Sequence, residues 1–393
     1  MATTSSSMME DVVQTWPSIE MLCKGHSMKQ HFPKFWSSIQ RYYESRAPQK
    51  VIPKLSPHDL HLKWRLASHK CKELSSIVMN FAPSIVSVSV FSGVKRYLDC
   101  SGYIIDWDDS NKIATILTSA KVMRFPGERD DYYIVIRLAN GKILLAEEDY
   151  VDYYNNIVTL KVNSDTTLKP VERDVETVEG VVVALGREFY TCKLLESSGV
   201  ICKDHPYFGC ELLVSSTCSG SEVLEGGPLI TGMGHGCGIN FFDGSKFIHP
   251  LPTSVIYSCL DKWNSSRIVM RPWFGLSVID IAQLPHGVLE NIAGVRDDST
   301  AVVKEVYEGS PADKAGLHSG ETVTALMRSQ RKITIDSASE YARTLSNISG
   351  ELSACYLNNT PEILISVRGY DSDICKVVHA EILRVNDKKF CCR

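Results

Sequence analysis

The sequence has no uninterrupted apolar run of membrane-spanning length, so no segment offers the roughly 20 apolar residues a bilayer-crossing helix needs. It has no C-x-x-C pair, and its 13 cysteines are odd in number and irregularly spaced. That usage fits neither a disulfide framework nor the usual zinc spacings. Cys210, Cys218, His235 and Cys237 do not make a zinc pattern either, and no metal or cofactor is expected. Cys391-Cys392 lie too close to the end for a prenylation box. Net charge is small, at -4, so bulk electrostatics gives no case for a nucleic-acid partner. The first residues, Met1 to Val13, lack the basic-then-apolar layout of a signal peptide. Glu10 and Asp11, with no early arginine, weigh against a transit peptide. The expectation is a cytoplasmic or nuclear protein without a membrane partner.

What remains is ordinary globular composition. The chain has 393 residues, 44% hydrophobic and 22% charged, enough for two or three domains. Its most informative stretch is Ser215 to Ile230, which ends Leu224-Glu225-Gly226-Gly227-Pro228-Leu229. Two adjacent glycines permit a tight turn that no side chain would share.

Short strand patterns surround that stretch. Ser84 to Val90 alternates with period two and reads as a half-buried strand. Cys100 to Asp106, Ile113 to Thr118, Tyr133 to Leu138, Lys142 to Ala146, Ile157 to Val162, Gly180 to Leu185 and Gly199 to Cys202 follow. Asn140-Gly141 is a hairpin turn signal. Many short strands separated by Gly, Asp and Asn read as an all-β barrel region. Gly238 to Phe242 and Lys246 to Ile248 would close it. A helix is expected over Ser254 to Trp263, and another over Ser337 to Ile348. Between them, Ala301 to Val306 is a strand, Gly309 to Leu317 a capped helical turn, and Thr322 to Met327 a strand. Glu362 to Val367 closes the region, and Ala380 to Val385 suggests one more strand.

Several segments carry a resemblance to the HtrA (Deg or Do-like) proteases. They are Cys100-Ser101-Gly102-Tyr103-Ile104-Ile105, the E-G-G-P-L turn, Arg271 to Leu276 and Val302 to Glu321. The resemblance covers roughly residues 66 to 370. It implies a mainly β fold, a trypsin-like double β-barrel followed by a PDZ domain. The domains implied are an N-terminal extension (1–60), a protease-like domain (61–263), a linker (264–270), the PDZ domain (271–385) and a tail (386–393).

The resemblance also locates a catalytic triad and shows it replaced. Lys121 stands where the family has histidine, Asn156 where it has aspartate, and Glu225 where it has the nucleophilic serine. Acylation needs a nucleophile, a base within reach and a group that orients the base. A carboxylate at Glu225 has no hydroxyl to add to a carbonyl, and the expectation is an ion pair between Lys121 and Glu225. Ser221 and Cys218 are the fallback nucleophiles for a rearranged serine-type endopeptidase. In the PDZ region, Phe274, Gly275, Leu276 and Val278 resemble the carboxylate loop and peptide-facing strand, and Tyr341 and Leu345 the opposite helix. The function implied is a catalytically inactive homologue that binds C-terminal or unfolded peptides and regulates active relatives. A holdase-type chaperone is a further alternative. Family trimers use the segment before the barrel, here Leu60 to Phe81, so a homo- or hetero-trimer with related proteases is also implied.

Overall fold

A computed structural model describes residues 75–92, 95–124, 132–172, 180–202, 212–244, 246–281, 301–328, 331–355, 362–368 and 375–392. The N-terminal extension, most of the segment from Leu60 and the insertion from Pro285 to Asp298 lie outside them; residues 75–81 are helical. The chain forms two compact units.

The first unit holds a closed barrel in the order β1-β2-β3-β6-β5-β4. Its strands are β1 (Ile85–Ser92), β2 (Lys95–Asp108), β3 (Ile113–Ser119), β4 (Tyr133–Arg137), β5 (Ile143–Asp152) and β6 (Ile157–Asn163). β1 differs from the half-buried strand expected from its alternation, because its serine face is buried too. The Ser89 hydroxyl is satisfied there by Leu98 O at 2.9 Å and Asp99 Oδ1 at 2.5 Å. Small hydroxyls that find acceptors can be buried at little cost. The Asn140-Gly141 turn closes β4 onto β5, with Gly141 N–H donating to Leu138 O at 2.9 Å.

The second sheet of this unit contains β7 (Val181–Arg187), β8 (Leu194–Cys202), β10 (Pro228–Thr231) and β11 (Gly236–Ile239), and it does not close. Only one of the two expected barrels is therefore closed by hydrogen bonds among the described strands. β9 (Ser215–Ser216) and β12 (Leu251–Pro252) are two-residue strands. Lys246 to Ile248 forms no strand; Phe247 makes a single bridge to Ser219.

The second unit takes in residues 249–393 with two short segments, Asp152–Asn155 and Cys202–Ser215. It opens with helix α1 (Thr253–Ser266), expected within the first domain. α1 runs to Ser266 and β13 (Met270–Trp273) starts at Met270, so the expected 264–270 linker shrinks to three residues. β14 (Leu276–Asp280), β15 (Ala301–Val306), β16 (Thr322–Arg328), β18 (Ile363–Arg368) and β19 (Cys375–His379) pair in the order β14-β15-β16-β18-β19. β17 (Arg331–Thr334) pairs with β16. Helix α2 (Pro311–Lys314) is capped as its sequence requires. Ser310 Oγ accepts from Asp313 N at 3.1 Å and proline sits in the first turn. Helix α3 (Ala338–Cys355) is one turn and more longer than expected. β20 (Glu381–Arg384) pairs antiparallel with β13. Beyond it Phe390 is buried against Tyr154, ring centroids 5.6 Å apart, so the expected tail is packed rather than loose.

Candidate functional site

Three turns of the first unit bring together Lys121, Asn156 and Glu225, the residues that the resemblance sets at triad positions. β3 ends at Ser119, whose hydroxyl caps a 3-10 turn, Ala120–Met123, by accepting from Lys121 N at 3.2 Å. Asn156 precedes β6 with φ 56°, a left-handed conformation that asparagine tolerates better than most residues. Its carbonyl accepts from Ala120 N at 3.0 Å and its Nδ2 donates to Ser119 Oγ at 3.1 Å. Glu225 follows a second 3-10 turn, Glu222–Leu224. Its carbonyl accepts from Ser101 N at 2.8 Å.

The glycines after Glu225 are sterically required. A Cβ on Gly226 would sit 2.4 Å from Ser101 O, and φ there is +74°. A Cβ on Gly227 would sit 2.0 Å from Leu185 O.

Lys121 Nζ lies 3.2 Å from Glu225 Oε2. The pair also takes both backbone groups of Phe242. Lys121 Nζ donates to Phe242 O, and Glu225 Oε2 accepts from Phe242 N. Asn156 bonds Ser119 rather than Lys121. Burial pushes the Glu225 carboxyl above its ordinary range, against the opposing pull of Lys121, the nearby Ser119 hydroxyl and the Phe242 N–H. Oε1 is sealed from solvent, and the Ser119 hydroxyl is a further hydrogen-bond partner of this carboxyl.

In trypsin-type sites the oxyanion is held by the N–H of the nucleophile and of the residue two before it. At the corresponding positions here, Val223 N–H donates to Ser221 Oγ at 3.3 Å and Glu225 N–H to Glu222 O at 3.2 Å. Both donors are used inside the turn.

Neither fallback nucleophile sits in a reactive setting. Ser221 is the N-cap of the Glu222–Leu224 turn. Cys218 is fully buried among Val182, Ala184, Leu229 and Ile248, and burial pushes its thiol up. An apolar thiol of raised pKa is a poor nucleophile. Among the described residues no cluster of His, Cys, Asp and Glu has metal-holding geometry.

Sequence reasoning missed Ser119 and Phe242. Ser119 was visible as the residue before Ala120-Lys121, at the end of a strand, where a hydroxyl commonly caps a turn. Phe242 acts through its backbone, so its side chain carries no signal.

In the second unit, Gly275 has φ +73°, and a Cβ there would meet Ser310 Cβ at 2.0 Å. Phe274, Leu276, Val278, Tyr341 and Leu345 all lie buried in one core cluster. The residues expected to face a peptide are thus core members here, and β14 stands last in its sheet order. Asp280, at its end, accepts from Ala338 N at 2.6 Å and so ties β14 to the start of α3.

No protein-family model matches the chain. A Do-like protein of Arabidopsis thaliana is 25% identical over 273 residues, 64% of this chain and 62% of the relative. The serine protease Do-like HtrB of Bacillus subtilis is 33% identical over 110 residues, 26% of this chain and 24% of its own length. A DegP-like protein of Pseudomonas fulva is 26% identical over 241 residues, 58% and 46% of the two chains. The relatives this chain resembles are HtrA-type (Do-like) serine proteases. It matches less than two thirds of the length of each of these relatives.

The family fold is seen in solved structures as well. An HtrA-type protease, AlgW, solved with a tripeptide, superposes with TM-score 0.52 at 18% identity, covering 79% of this chain and 97% of that one. The serine endoprotease from Yersinia pestis gives TM-score 0.50 at 19% identity over the same shares. These likenesses show that the chain shares the fold of HtrA-type proteases.

Proposed function

We propose that this chain is a member of the HtrA family that does not cut peptide bonds and acts by binding peptides or proteins. The observation that carries the reading is the Lys121–Glu225 pair at 3.2 Å. It fills the place of a nucleophile and base with two groups that hold each other. With Nζ held by Glu225 Oε2 and Phe242 O, Lys121 is not placed to take a proton from a hydroxyl. The two engaged N–H groups at Val223 and Glu225 support the same reading, since they leave a developing oxyanion without its donors.

The binding module in this reading is the second unit, taken as a PDZ domain. An edge strand beside a helix is the arrangement that accepts an added peptide strand. β14 and α3 supply it, with Gly275 allowing close backbone approach. Because the apolar side chains there are buried, recognition would rest chiefly on the backbone of the loop and strand. Peptide binding in this way suits a regulator of active relatives, as a homo- or hetero-trimer with them. The rearranged endopeptidase is disfavoured by the burial of Cys218 and the capping role of Ser221.

Casein digestion by the purified chain tests the first half, with Ser221→Ala and Lys121→Ala variants beside it. No cleavage is expected from any of them. Cleavage that vanishes in one variant would replace this reading with a rearranged peptidase. For the second half, peptides with a free C-terminal carboxylate should bind and their amidated counterparts should not.

A further inference from the structure

We propose that Asp280 is a latch that holds α3 against β14 and keeps the groove between them shut to peptide side chains. The inference rests on the reading of the second unit as the peptide-binding module. In that reading β14 and α3 are the two walls. Leu276 and Val278 on the strand, with Tyr341 and Leu345 on the helix, are each at most 3% exposed and share one core cluster. A close-packed interior has no spare volume, so a ligand side chain reaches these residues only when the walls part. In the shut form only the backbone of the loop and strand is on offer.

The two walls are anchored differently. The loop end of β14 is fixed by backbone bonds, Ala312 N–H to Phe274 O at 3.0 Å and Tyr307 N–H to Gly275 O at 2.9 Å. The strand then pairs with β15 as far as Asp280, opposite Ala301. The C-terminal half of α3 is tied away from this strand. Ser349 Oγ donates to Met270 O in β13, and Lys262 Nζ in α1 donates to Ser346 O at 3.2 Å. A Cβ on Gly350 would stand 3.2 Å from Lys262 Cε, so α1 and α3 lie close at that turn. The start of α3 is instead joined to β14, through Ala338 N–H and Asp280 Oδ1 at 2.6 Å. That end of the helix can leave β14 while the far half stays anchored.

The Asp280 bond is not needed to cap the helix. Ser337 Oγ accepts from Glu340 N at 3.1 Å, and Glu340 Oε2 accepts from Asp336 N at 3.1 Å. This is a capping-box arrangement built from the helix start itself. Asp280 is a further acceptor supplied by the opposite wall, and a carboxylate accepts more strongly than a neutral oxygen. Its effect is to favour the shut form, which lowers apparent affinity by the fraction of molecules that are open.

The test uses the full chain and a pool of fluorescein-labelled hexapeptides. Each reads Gly-Ser-Gly and then three residues drawn from Ala, Val, Leu, Ile and Phe, with a free C-terminal carboxylate; a second pool is amidated. By fluorescence anisotropy Asp280→Ala should bind the free-carboxylate pool about tenfold more tightly than the unsubstituted chain. Asp280→Asn keeps an acceptor oxygen and should stay within about threefold of it. Ala338→Pro cuts the same bond from the helix side, since proline suits the first helical position but has no N–H, and should give the same gain. Hydrogen exchange should quicken at the first turn of α3 in Asp280→Ala and stay slow around Ser346 to Ser349. If the unsubstituted chain binds the pool and neither Asp280→Ala nor Ala338→Pro binds it more tightly, the latch is overturned and peptide binding stands. An equal gain with the amidated pool would place the binding outside the groove and overturn the latch as well. No binding of the free-carboxylate pool by any of these chains at millimolar concentration would remove the peptide-binding reading and the latch with it.

Discussion

Lys121 and Glu225 clamp the backbone of Phe242 from both sides, the ammonium on its carbonyl and the carboxylate on its N–H, with 3.2 Å between the two charges. The pair is asymmetric in burial, with the lysine side chain 35% exposed and the glutamate 5%. Loss of the exposed partner therefore strands the buried one.

Lys121→Met should destabilise the first unit by about 2 kcal/mol, less than a fully buried pair because the lysine reaches solvent. Adding Glu225→Leu to that variant should recover most of the loss, since an apolar pair leaves no orphaned charge. Chemical denaturation of the single and double variants measures both. A double variant no better than Lys121→Met would mean the pair is not what couples these positions.

The raised carboxyl of Glu225 sets the sign of a pH effect. Its native form holds a proton to higher pH than its unfolded form does. Between the unfolded value of 4.5 and the native one, the folded chain binds more protons. Stability from this group is therefore complete below the unfolded value and falls as pH rises through the native one. Glu225→Gln should flatten that slope in a series of melting curves across the acidic range. An unchanged slope would assign it to other carboxyls, such as Asp99.

Restoring the triad should not restore catalysis. Lys121→His, Asn156→Asp and Glu225→Ser together supply the chemical groups, but the N–H donors of residues 223 and 225 stay engaged in the Glu222–Leu224 turn. Loss of one oxyanion donor alone typically costs 10²- to 10³-fold in rate. Active-site titration with a fluorophosphonate should show little labelling of the triple variant. Rapid stoichiometric labelling would show that the turn reopens once a serine is present.

Ser221→Ala should lower stability by about 1 kcal/mol through the lost cap, with no effect on peptide binding. Cys218 should resist thiol reagents in the native state and react on unfolding, because its side chain is fully buried. Fast native labelling of Cys218 would contradict its place in the core.

Much of this architecture was legible before any coordinates. Alternation and turn residues placed β1, β3, β4, β6 and β15 within a residue or two, and the Ser310-Pro311 pair placed α2, because these signals are local; β2 starts five residues before its expected Cys100. The E-G-G-P-L turn was legible for the same reason, since backbone contacts at Gly226 and Gly227 exclude any side chain. The ends of α1 and α3 were not, because tertiary packing extends helices past their propensity signals. The burial of Phe274, Leu276, Val278, Tyr341 and Leu345 was equally hidden, because an apolar residue reads the same whether it faces a groove or a core.

The sequence by itself determined which groups stand at positions 121, 156 and 225, because residue identity at a motif is a local fact. Lysine, asparagine and glutamate at 121, 156 and 225 put no hydroxyl and no imidazole at those three positions. Only the tertiary structure decided what those groups do instead. Residues 121, 156, 225 and 242 are far apart in the chain, and strand register alone brings them together. That closure makes Lys121 and Glu225 a pair on the Phe242 backbone and turns Ser119 into the partner of Asn156.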